Sequence, residues 1–304
     1  MSPTNSGPLQ TRWLSGAVGV EATGLDLARP LAADVLARLR DAWLQAGVLV
    51  VRDQDLDPEA FERVAEMFGA PSDYPFLKGL PGHPNITEVV KLEHETVNFG
   101  GVWHSDTTYL PTPPMATLLL ARQTPPAGGD TLFASQVAAY EALSEGMKRL
   151  LGSLRAISSS SKADVSRTRE DRLRDAARQE APQVFEALHP VVRTHPETGR
   201  RSLYVNEAHT VRFEGMTEVE SAPMLEWLFR HQVRPEFTCR VSWAPGTLAI
   251  WDNRQVLHNP INDYHGHRRV MHRITLAGDV PGPSPFAGEG GKTDGAYSAR
   301  HPNS

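Results

Sequence analysis

The sequence predicts a mainly β fold with helical insertions, an α+β sandwich or jelly roll. Short segments of β character, separated by Pro and Gly breakers, recur from Ile86 to Ala277. Helical segments interrupt them irregularly, whereas a doubly wound parallel sheet would alternate strands and helices regularly. The 304 residues, 40% of them hydrophobic, suffice for one large domain or at most two.

The chain begins with helices around one short strand. Residues 34–46 carry apolar side chains at helical spacing, and Gly47 follows where a helix C-cap favours glycine. The apolar residues 48–51 predict a buried strand. Residues 58–68 predict a second helix that has proline at its tolerated first position.

The remainder predicts a β-rich body interrupted by three helices. The predicted strands are residues 86–90, 116–121, 131–134, 203–205, 237–243, 248–251 and 270–277. The predicted helices are residues 136–151, 167–181 and 218–231.

The two ends of the chain differ from this middle in composition. Residues 1–12 are polar and predict a flexible lead-in, and residues 281–304 are rich in Gly, Pro and Ser and predict a flexible tail. We therefore expect a single domain over residues 13–280.

Composition and charge exclude several classes of protein. The formal net charge is −5, and Lys and Arg are scattered, so no nucleic-acid partner is expected. No apolar run approaches the ~20 residues of a membrane span, so no membrane partner is expected either. Cys239 is the single cysteine and no N-terminal apolar leader is visible, which predicts a cytoplasmic protein.

Three residues form a candidate metal site. His104 and Asp106 are two apart, and in a strand such residues project from one face. This pattern alone is weak, because it arises by chance in many proteins. His258, just after the predicted strand 248–251, completes a set of two imidazoles and one carboxylate. This set is the facial triad of non-haem Fe(II) oxygen chemistry and leaves three metal positions open.

Two arginines and a threonine suggest anionic ligands. Arg269 directly precedes the predicted strand 270–277, and Arg273 lies within it. Because residues four apart in a strand share a face, both guanidinium groups should point the same way. Inward-facing arginines need anionic partners, because unpaired burial of charge is costly. A dicarboxylate cosubstrate and an anionic substrate would meet that need. Thr131, after the Gly128-Gly129 turn, offers a hydroxyl donor.

Five segments carry a family resemblance. They are WHSDTTY (103–109), GGDTLFAS (128–135), HPVVRTHPETGRRSLYVNE (189–207), WDNRQVLHNPINDY (251–264) and RRVMHRITLAGD (268–279). Together they resemble the taurine/2,4-dichlorophenoxyacetate dioxygenase family over roughly residues 47–279. The resemblance implies a double-stranded β-helix, a form of jelly roll. It also implies a dioxygenase that uses Fe(II), 2-oxoglutarate and O₂ to hydroxylate, and thereby in some cases cleave, a small anionic molecule, releasing succinate and CO₂.

The resemblance implies that His104, Asp106 and His258 are the iron ligands. Related halogenases have a small residue in place of the carboxylate, which frees a position for chloride. Because this sequence keeps Asp106, hydroxylation is favoured over halogenation.

The resemblance also assigns the cosubstrate and substrate contacts. Arg269 would bind the distal carboxylate of 2-oxoglutarate, assisted by the Thr131 hydroxyl, and Trp251 would lie close to the iron and the cosubstrate. Arg273 stands where the family places a guanidinium for the anionic group of the substrate or the cosubstrate. We count it as a substrate contact.

The candidate substrate wall consists of Tyr74, Phe76, Asn98 and His209. Taurine enzymes carry Asn four residues before the first metal histidine, where this chain has Gly100, and an aromatic residue where it has His209. Taurine itself is therefore disfavoured. A sulfonate, a sulfate ester, an aryloxyalkanoate or another carboxylate is compatible with the pattern.

Two other functions share these ligands. A zinc-dependent hydrolase or isomerase on a jelly-roll scaffold could use the same triad, and a non-catalytic 2-oxoglutarate sensor could use the same clamp. Arg269 and Thr131 favour the dioxygenase over the hydrolase, which needs no dicarboxylate clamp. Family members form dimers or tetramers, so a homo-oligomer is compatible with the resemblance, although the sequence shows no self-complementary patch.

Overall fold

The computed structural model describes residues 9–72, 79–98, 100–162 and 184–282. The helices are α1 Ala33–Ala46, α2 Pro58–Phe68, α3 Gln136–Glu141, α4 Glu145–Gly152 and α5 Glu218–Gln232. The first nine strands are β1 Gln10–Trp13, β2 Val20–Thr23, β3 Val48–Val51, β4 Pro71–Ser72, β5 Gly79–Leu80, β6 His83–Lys91, β7 Ala116–Gln123, β8 Thr131–Ser135 and β9 Arg155–Ser159. The others are β10 Glu186–Pro190, β11 Val192–Thr194, β12 Arg201–Leu203, β13 Thr210–Phe213, β14 Thr238–Val241, β15 Leu248–Asp252, β16 Val256–Pro260 and β17 Arg269–Leu276.

Most strands belong to one large sheet. Its order is β1-β2-β3-β15-β7-β17-β6-β5, and β4 pairs with β17 beyond that path. The pairs in the middle of the sheet are antiparallel, and β7 is hydrogen-bonded to both β15 and β17. The central strands β3, β7 and β15 are buried on both faces, because helices cover one face and a second sheet covers the other.

The second sheet has the order β14-β8-β16. A hydrophobic cluster fills the space between the two sheets: Phe133 and Val241 come from the second sheet, and Val50, Ala249 and Met271 come from the large one. The protein is therefore mainly β, with these two of its sheets packed against each other, as the sequence predicts. The interior between the sheets is the place where side chains from both can meet.

A second cluster covers the outer face of the large sheet. Trp43 of α1 and Phe61 and Phe68 of α2 pack there, with the rings of Trp43 and Phe68 in edge contact at 5.4 Å between centroids. Gly47 ends α1 at φ 72, the conformation that the sequence predicts for a glycine C-cap. Asp57 caps α2 by accepting a hydrogen bond from Ala60 N, and Pro58 follows at N1.

The structure corrects several predicted boundaries. The predicted helix 136–151 is two helices, because the Ser144 side chain accepts a hydrogen bond from Met147 N and starts α4 afresh. The predicted strand 237–243 begins with a 3₁₀ turn, Pro235–Phe237, and continues as β14. Residues 10–12 of the predicted lead-in belong to β1, which pairs with β2.

The sequence missed several short strands, above all β16, which carries His258. These segments are too short, or too polar, to show a strand periodicity of their own. The predicted helix 167–181 lies outside the described residues, as does nearly all of the predicted tail. Among the residues that the structure covers, no helix has the length and apolar character needed to cross a bilayer.

Candidate active site

Two histidines from distant parts of the chain lie side by side. His104 N donates to His258 O at 3.0 Å and His258 N donates to His104 O at 2.8 Å, an isolated antiparallel bridge. Their ring centroids are 4.0 Å apart. His104 Nδ1 donates to Val102 O at 2.6 Å, which leaves the lone pair of His104 Nε2 free for a metal.

The carboxylate of Asp106 faces both rings. Its Oδ1 lies 3.8 Å from Nε2 of His104 and 3.8 Å from Nε2 of His258. Its other oxygen, Oδ2, accepts a hydrogen bond from Thr117 Oγ1 at 2.6 Å and lies 3.0 Å from Arg273 Nη2. These contacts hold Oδ2 away from the histidines and direct Oδ1 towards the space between them.

One ligand atom from each of these three residues lies within 4.8 Å of the others, and all three residues are buried. This is the convergence that the sequence predicts for His104, Asp106 and His258. The chemistry of the donor set suits a divalent transition metal. Two neutral imidazoles and one carboxylate would occupy one face of the metal ion and leave its opposite face open.

The electrostatics of the site favour metal-ready protonation states. Burial lowers the pKa of His104. Burial and the neighbouring His104 ring lower the pKa of His258 well below its ordinary value. Both imidazoles therefore stay neutral. Burial by itself would raise the pKa of Asp106. Arg273, His258 and His104 more than offset it and hold that pKa well below its usual range.

The expected strand around His104 and Asp106 is wrong. His104 makes only the isolated bridge, Asp106 lies in a turn, and Thr107 after it has φ 42. The two side chains converge because tertiary contacts orient the turn. Ser105 Oγ donates to Asn253 O at 2.7 Å, and Asp106 N approaches Asn253 Oδ1 at 3.5 Å.

Asn253 and Thr117 are orienting residues that sequence reasoning missed or undervalued. Asn253 Oδ1 accepts from Trp251 Nε1 at 3.0 Å, and its Nδ2 donates to Thr117 Oγ1 at 3.1 Å. Thr117 can then donate its proton to Asp106. For Asn253 the only sequence signal is its place in the turn before His258, and for Thr117 there is none.

Arg269 lies in the same interior, and no carboxylate in the described ranges forms a salt bridge with it. Its guanidinium stands 5.6 Å from the Trp243 ring centroid and 6.0 Å from that of Tyr264. Its Nε and Nη2 are buried and have no hydrogen-bond partner among the described residues. Thr131 Oγ1 accepts from Trp243 Nε1 at 3.0 Å, so its own proton remains available to a ligand.

A cavity joins these groups. Thr131, Arg269 and Arg273 line it together with the three candidate metal ligands and Trp251. The remaining lining residues are Val89, Gly100, Leu119 and Pro260. Trp251 also packs against His258, with ring centroids 4.7 Å apart. The structure thus brings seven predicted site residues to one cavity between the sheets.

The candidate wall residues are placed differently. Tyr74 and Phe76 lie outside the described residues. Asn98 is buried and donates to Pro260 O at 3.2 Å, so its amide fixes a lining residue. His209 is fully buried beside His104, with ring centroids 6.2 Å apart, and does not line the cavity. Burial and the nearby His104 lower the pKa of His209 to about 3.

A second buried polar network braces the turn between β15 and β16. Arg254 binds both oxygens of Asp252 at 2.8 Å, and His195 Nε2 lies 2.9 Å from Asp252 Oδ2. Arg254 Nη1 also donates to Glu197 at 2.8 Å, and Gln255 Nε2 donates to Asp252 at 3.3 Å. Since this turn leads directly to His258, the network fixes the start of β16.

Comparison with known proteins agrees with this geometry. The family model described as taurine catabolism dioxygenase TauD, TfdA family matches residues 8–275. The chain belongs to this family. An alkylsulfatase of Acinetobacter baylyi is 34% identical over 90% of this chain and 86% of its own length. An alpha-ketoglutarate-dependent sulfate ester dioxygenase of Pseudomonas putida is 32% identical over 88% of this chain and 89% of its own.

Solved structures show the same fold. A taurine dioxygenase from Burkholderia xenovorans superposes with a TM-score of 0.77 at 34% identity, covering 90% of this chain and 93% of that one. The predicted jelly roll is confirmed. The protein is an alpha-ketoglutarate-dependent dioxygenase, an oxidoreductase. The family assignment thereby favours the dioxygenase over the hydrolase that shares its ligand set.

Proposed function

We propose that this dioxygenase binds Fe(II) through His104, Asp106 and His258 and hydroxylates a small organic anion held by Arg273. The observation that carries the proposal is the convergence of these three ligand atoms within 4.8 Å in a cavity that two arginines also line. A hydrolase needs the triad alone, whereas a reaction between a dicarboxylate and a second anion needs both arginines.

The triad fits iron by its donor set. Both Nε2 atoms face Asp106 Oδ1, and the imidazoles are neutral, as metal ligation requires. Bound Fe(II) would supply the activation of O₂ that the protein cannot perform itself. The role of the chain is to hold the two reactants at this metal face and to exclude bulk water from it.

Arg269 and Thr131 would hold the distal carboxylate of 2-oxoglutarate. Arg269 presents unbonded N–H groups, and the Thr131 hydroxyl has its proton free because Trp243 already donates to its oxygen. Hydrogen bonds from a guanidinium and a hydroxyl group to a carboxylate are charge-assisted, and such bonds are stronger than those between neutral groups. The keto acid end would then reach the metal ligands, with Trp251 beside it.

The cavity favours an anion with an apolar body. Val89, Leu119 and Pro260 supply apolar surface close to Arg273. Among the described lining residues the single carboxylate is Asp106, which is committed to Thr117, Arg273 and the metal. An ammonium group such as that of taurine would therefore find no free acceptor on this part of the wall.

Gly100 gives a further reason to disfavour taurine. It has φ 78, and a Cβ built on it would lie 2.9 Å from His104 Cε1. The asparagine that taurine enzymes carry at this position would therefore crowd a metal ligand in this backbone. We infer that the substrate is an alkyl sulfate ester. The relative from Pseudomonas putida is named for sulfate esters.

The expected reaction balances as follows. One oxygen atom of O₂ enters the C–H bond next to the ester oxygen, and the other enters succinate as 2-oxoglutarate loses CO₂. The resulting hemiacetal sulfate breaks its C–O bond to give an aldehyde, sulfate and a proton. Arg273 holds the sulfate group throughout, so the carbon that bears it is directed towards the metal face.

The test is a panel of octyl sulfate, taurine and 2-phenoxypropionate with the Fe(II)-loaded protein. We expect octyl sulfate to stimulate succinate release in proportion to the aldehyde and sulfate formed, and taurine to stimulate it least. Release of sulfate without O₂ and 2-oxoglutarate would show a hydrolase instead. Binding of 2-oxoglutarate without turnover of any substrate would point to a sensor.

A further inference from the structure

Lys91 is a buried cation next to the candidate cosubstrate subsite. Its residue is 4% exposed, and Nζ has no hydrogen-bond partner in the described part of the chain. Glu95 is the carboxylate whose charge acts on Lys91, but its Oε2 accepts a hydrogen bond from Leu92 N at 2.7 Å. A buried ammonium group without a bonded anion is costly and calls for an explanation.

The register of the large sheet places Lys91 on the interior face. Lys91 of β6 lies directly opposite Arg269 of β17 in an antiparallel pair, and Val89 lies opposite Met271. Directly opposed residues project from the same face of a sheet. Since Val89 and Arg269 line the cavity, Lys91 projects from the cavity face beside Arg269.

Tyr264 connects the two cations. Lys91 Nζ lies 4.2 Å from the centroid of its ring, and the Arg269 guanidinium lies 6.0 Å from the same centroid. The Tyr264 hydroxyl also interacts with the side chains of Arg269 and Asn98. Two buried positive charges therefore flank one aromatic ring, and no carboxylate of the described residues forms a salt bridge with either.

We propose that Lys91 is a positioning residue of the cosubstrate subsite. Its ammonium group, held on the Tyr264 ring, adds a second positive charge beside Arg269 and strengthens binding of the distal carboxylate of 2-oxoglutarate. Tyr264 fixes the distance between the two cations and the direction of Arg269. This inference rests on the proposed function, because it assigns the distal carboxylate to Arg269.

The test compares two keto acids on anaerobic, Mn(II)-loaded protein by calorimetry. 2-Oxoglutarate carries the distal carboxylate, and 2-oxopentanoate has the same chain length without it. Lys91→Met should raise the Kd of 2-oxoglutarate about 5- to 30-fold, the range for removing one partly screened charge close to the carboxylate. It should leave the Kd of 2-oxopentanoate unchanged. Lys91→Arg should restore binding of 2-oxoglutarate.

Further variants separate the effect of charge from that of structure. Lys148→Met removes one positive charge from the exposed pair with Glu145 and should change neither Kd. Tyr264→Phe keeps the ring under Lys91 and should weaken 2-oxoglutarate binding less than Lys91→Met does. Lys91→Gln replaces the Met variant if the latter does not fold.

The outcomes distinguish the two proposals. If Lys91→Met weakened the binding of both keto acids equally, or of neither, the role of Lys91 would be overturned and the proposed function would stand. Failure of the wild-type protein to bind 2-oxoglutarate would instead overturn the proposed function itself.

Discussion

Two buried polar clusters use the same residue types and differ in how completely their atoms are bonded. Around Asp252, Arg254 occupies both carboxylate oxygens and His195 Nδ1 accepts from the backbone N–H groups of residues 197 and 198. Around Asp106, the buried atoms Arg269 Nε, Arg269 Nη2 and His258 Nδ1 have no hydrogen-bond partner in the described chain.

The difference shows which buried polar groups stabilise the fold and which await a ligand. A network whose donors and acceptors satisfy one another lowers the free energy of the folded chain. Buried donors without partners raise it, so they are retained where a bound group completes them. We therefore infer that the Asp252 cluster is structural and that the Asp106 cluster is functional.

The sharpest test of this contrast is Asp106→Ala. Loss of the carboxylate ligand should reduce succinate formation to below about one-thousandth of the wild-type rate, a barrier increase of roughly 4 kcal/mol or more. The circular dichroism spectrum should stay unchanged. Asp41→Ala, on the exposed face of α1, is the control and should keep full activity. Wild-type turnover in Asp106→Ala would refute the triad.

Asp252→Asn should act on stability instead. It leaves Arg254 and His195 facing a neutral amide in a buried site, and loss of one partner of a buried pair costs about 3–5 kcal/mol. Urea unfolding should show this loss, whereas Asp41→Asn should lie within about 0.5 kcal/mol of wild type. A change in activity without a change in the free energy of unfolding would place Asp252 in the functional cluster.

Arg269→Ala should affect one reactant only. The charge-assisted contact to the distal carboxylate contributes on the order of 2–4 kcal/mol, so the 2-oxoglutarate concentration for half-maximal rate should rise roughly 30- to 1000-fold. The requirement for octyl sulfate should change far less. If the octyl sulfate requirement alone rises, the roles of Arg269 and Arg273 are reversed.

The smallest effect, taken per unit of pH, is a pH dependence of stability from His209. Its pKa is about 3 in the folded protein, so the unfolded chain, with a pKa near 6.5, binds the extra proton between these values. The free energy of unfolding should therefore fall as pH drops through that window, by up to about 1.4 kcal/mol per pH unit. Urea midpoints of His209→Asn should show a shallower fall than wild type. Equal slopes would exclude His209 as a contributor.

The sequence by itself determined the fold class and the identity of the main site residues. The spacing of Arg269 and Arg273 predicts that both side chains line one cavity, because strand residues four apart share a face. This rule needs no tertiary information. The segments around His104, Asp106 and His258 resemble one family closely enough to predict the metal ligands. By contrast, the local rule applied to His104 and Asp106 was wrong, because a turn and a bridge position them.

Only the tertiary structure decided which atoms of those residues remain free. Thr117 and Asn253 orient Asp106 from positions 11 and 147 residues away in the chain. Lys91 lies opposite Arg269 because two strands that are far apart in the chain are paired. Such contacts depend on strand order and register, which local periodicity does not encode. Hydrogen-bond satisfaction, the property that separates the two clusters, is therefore visible only once the chain is folded.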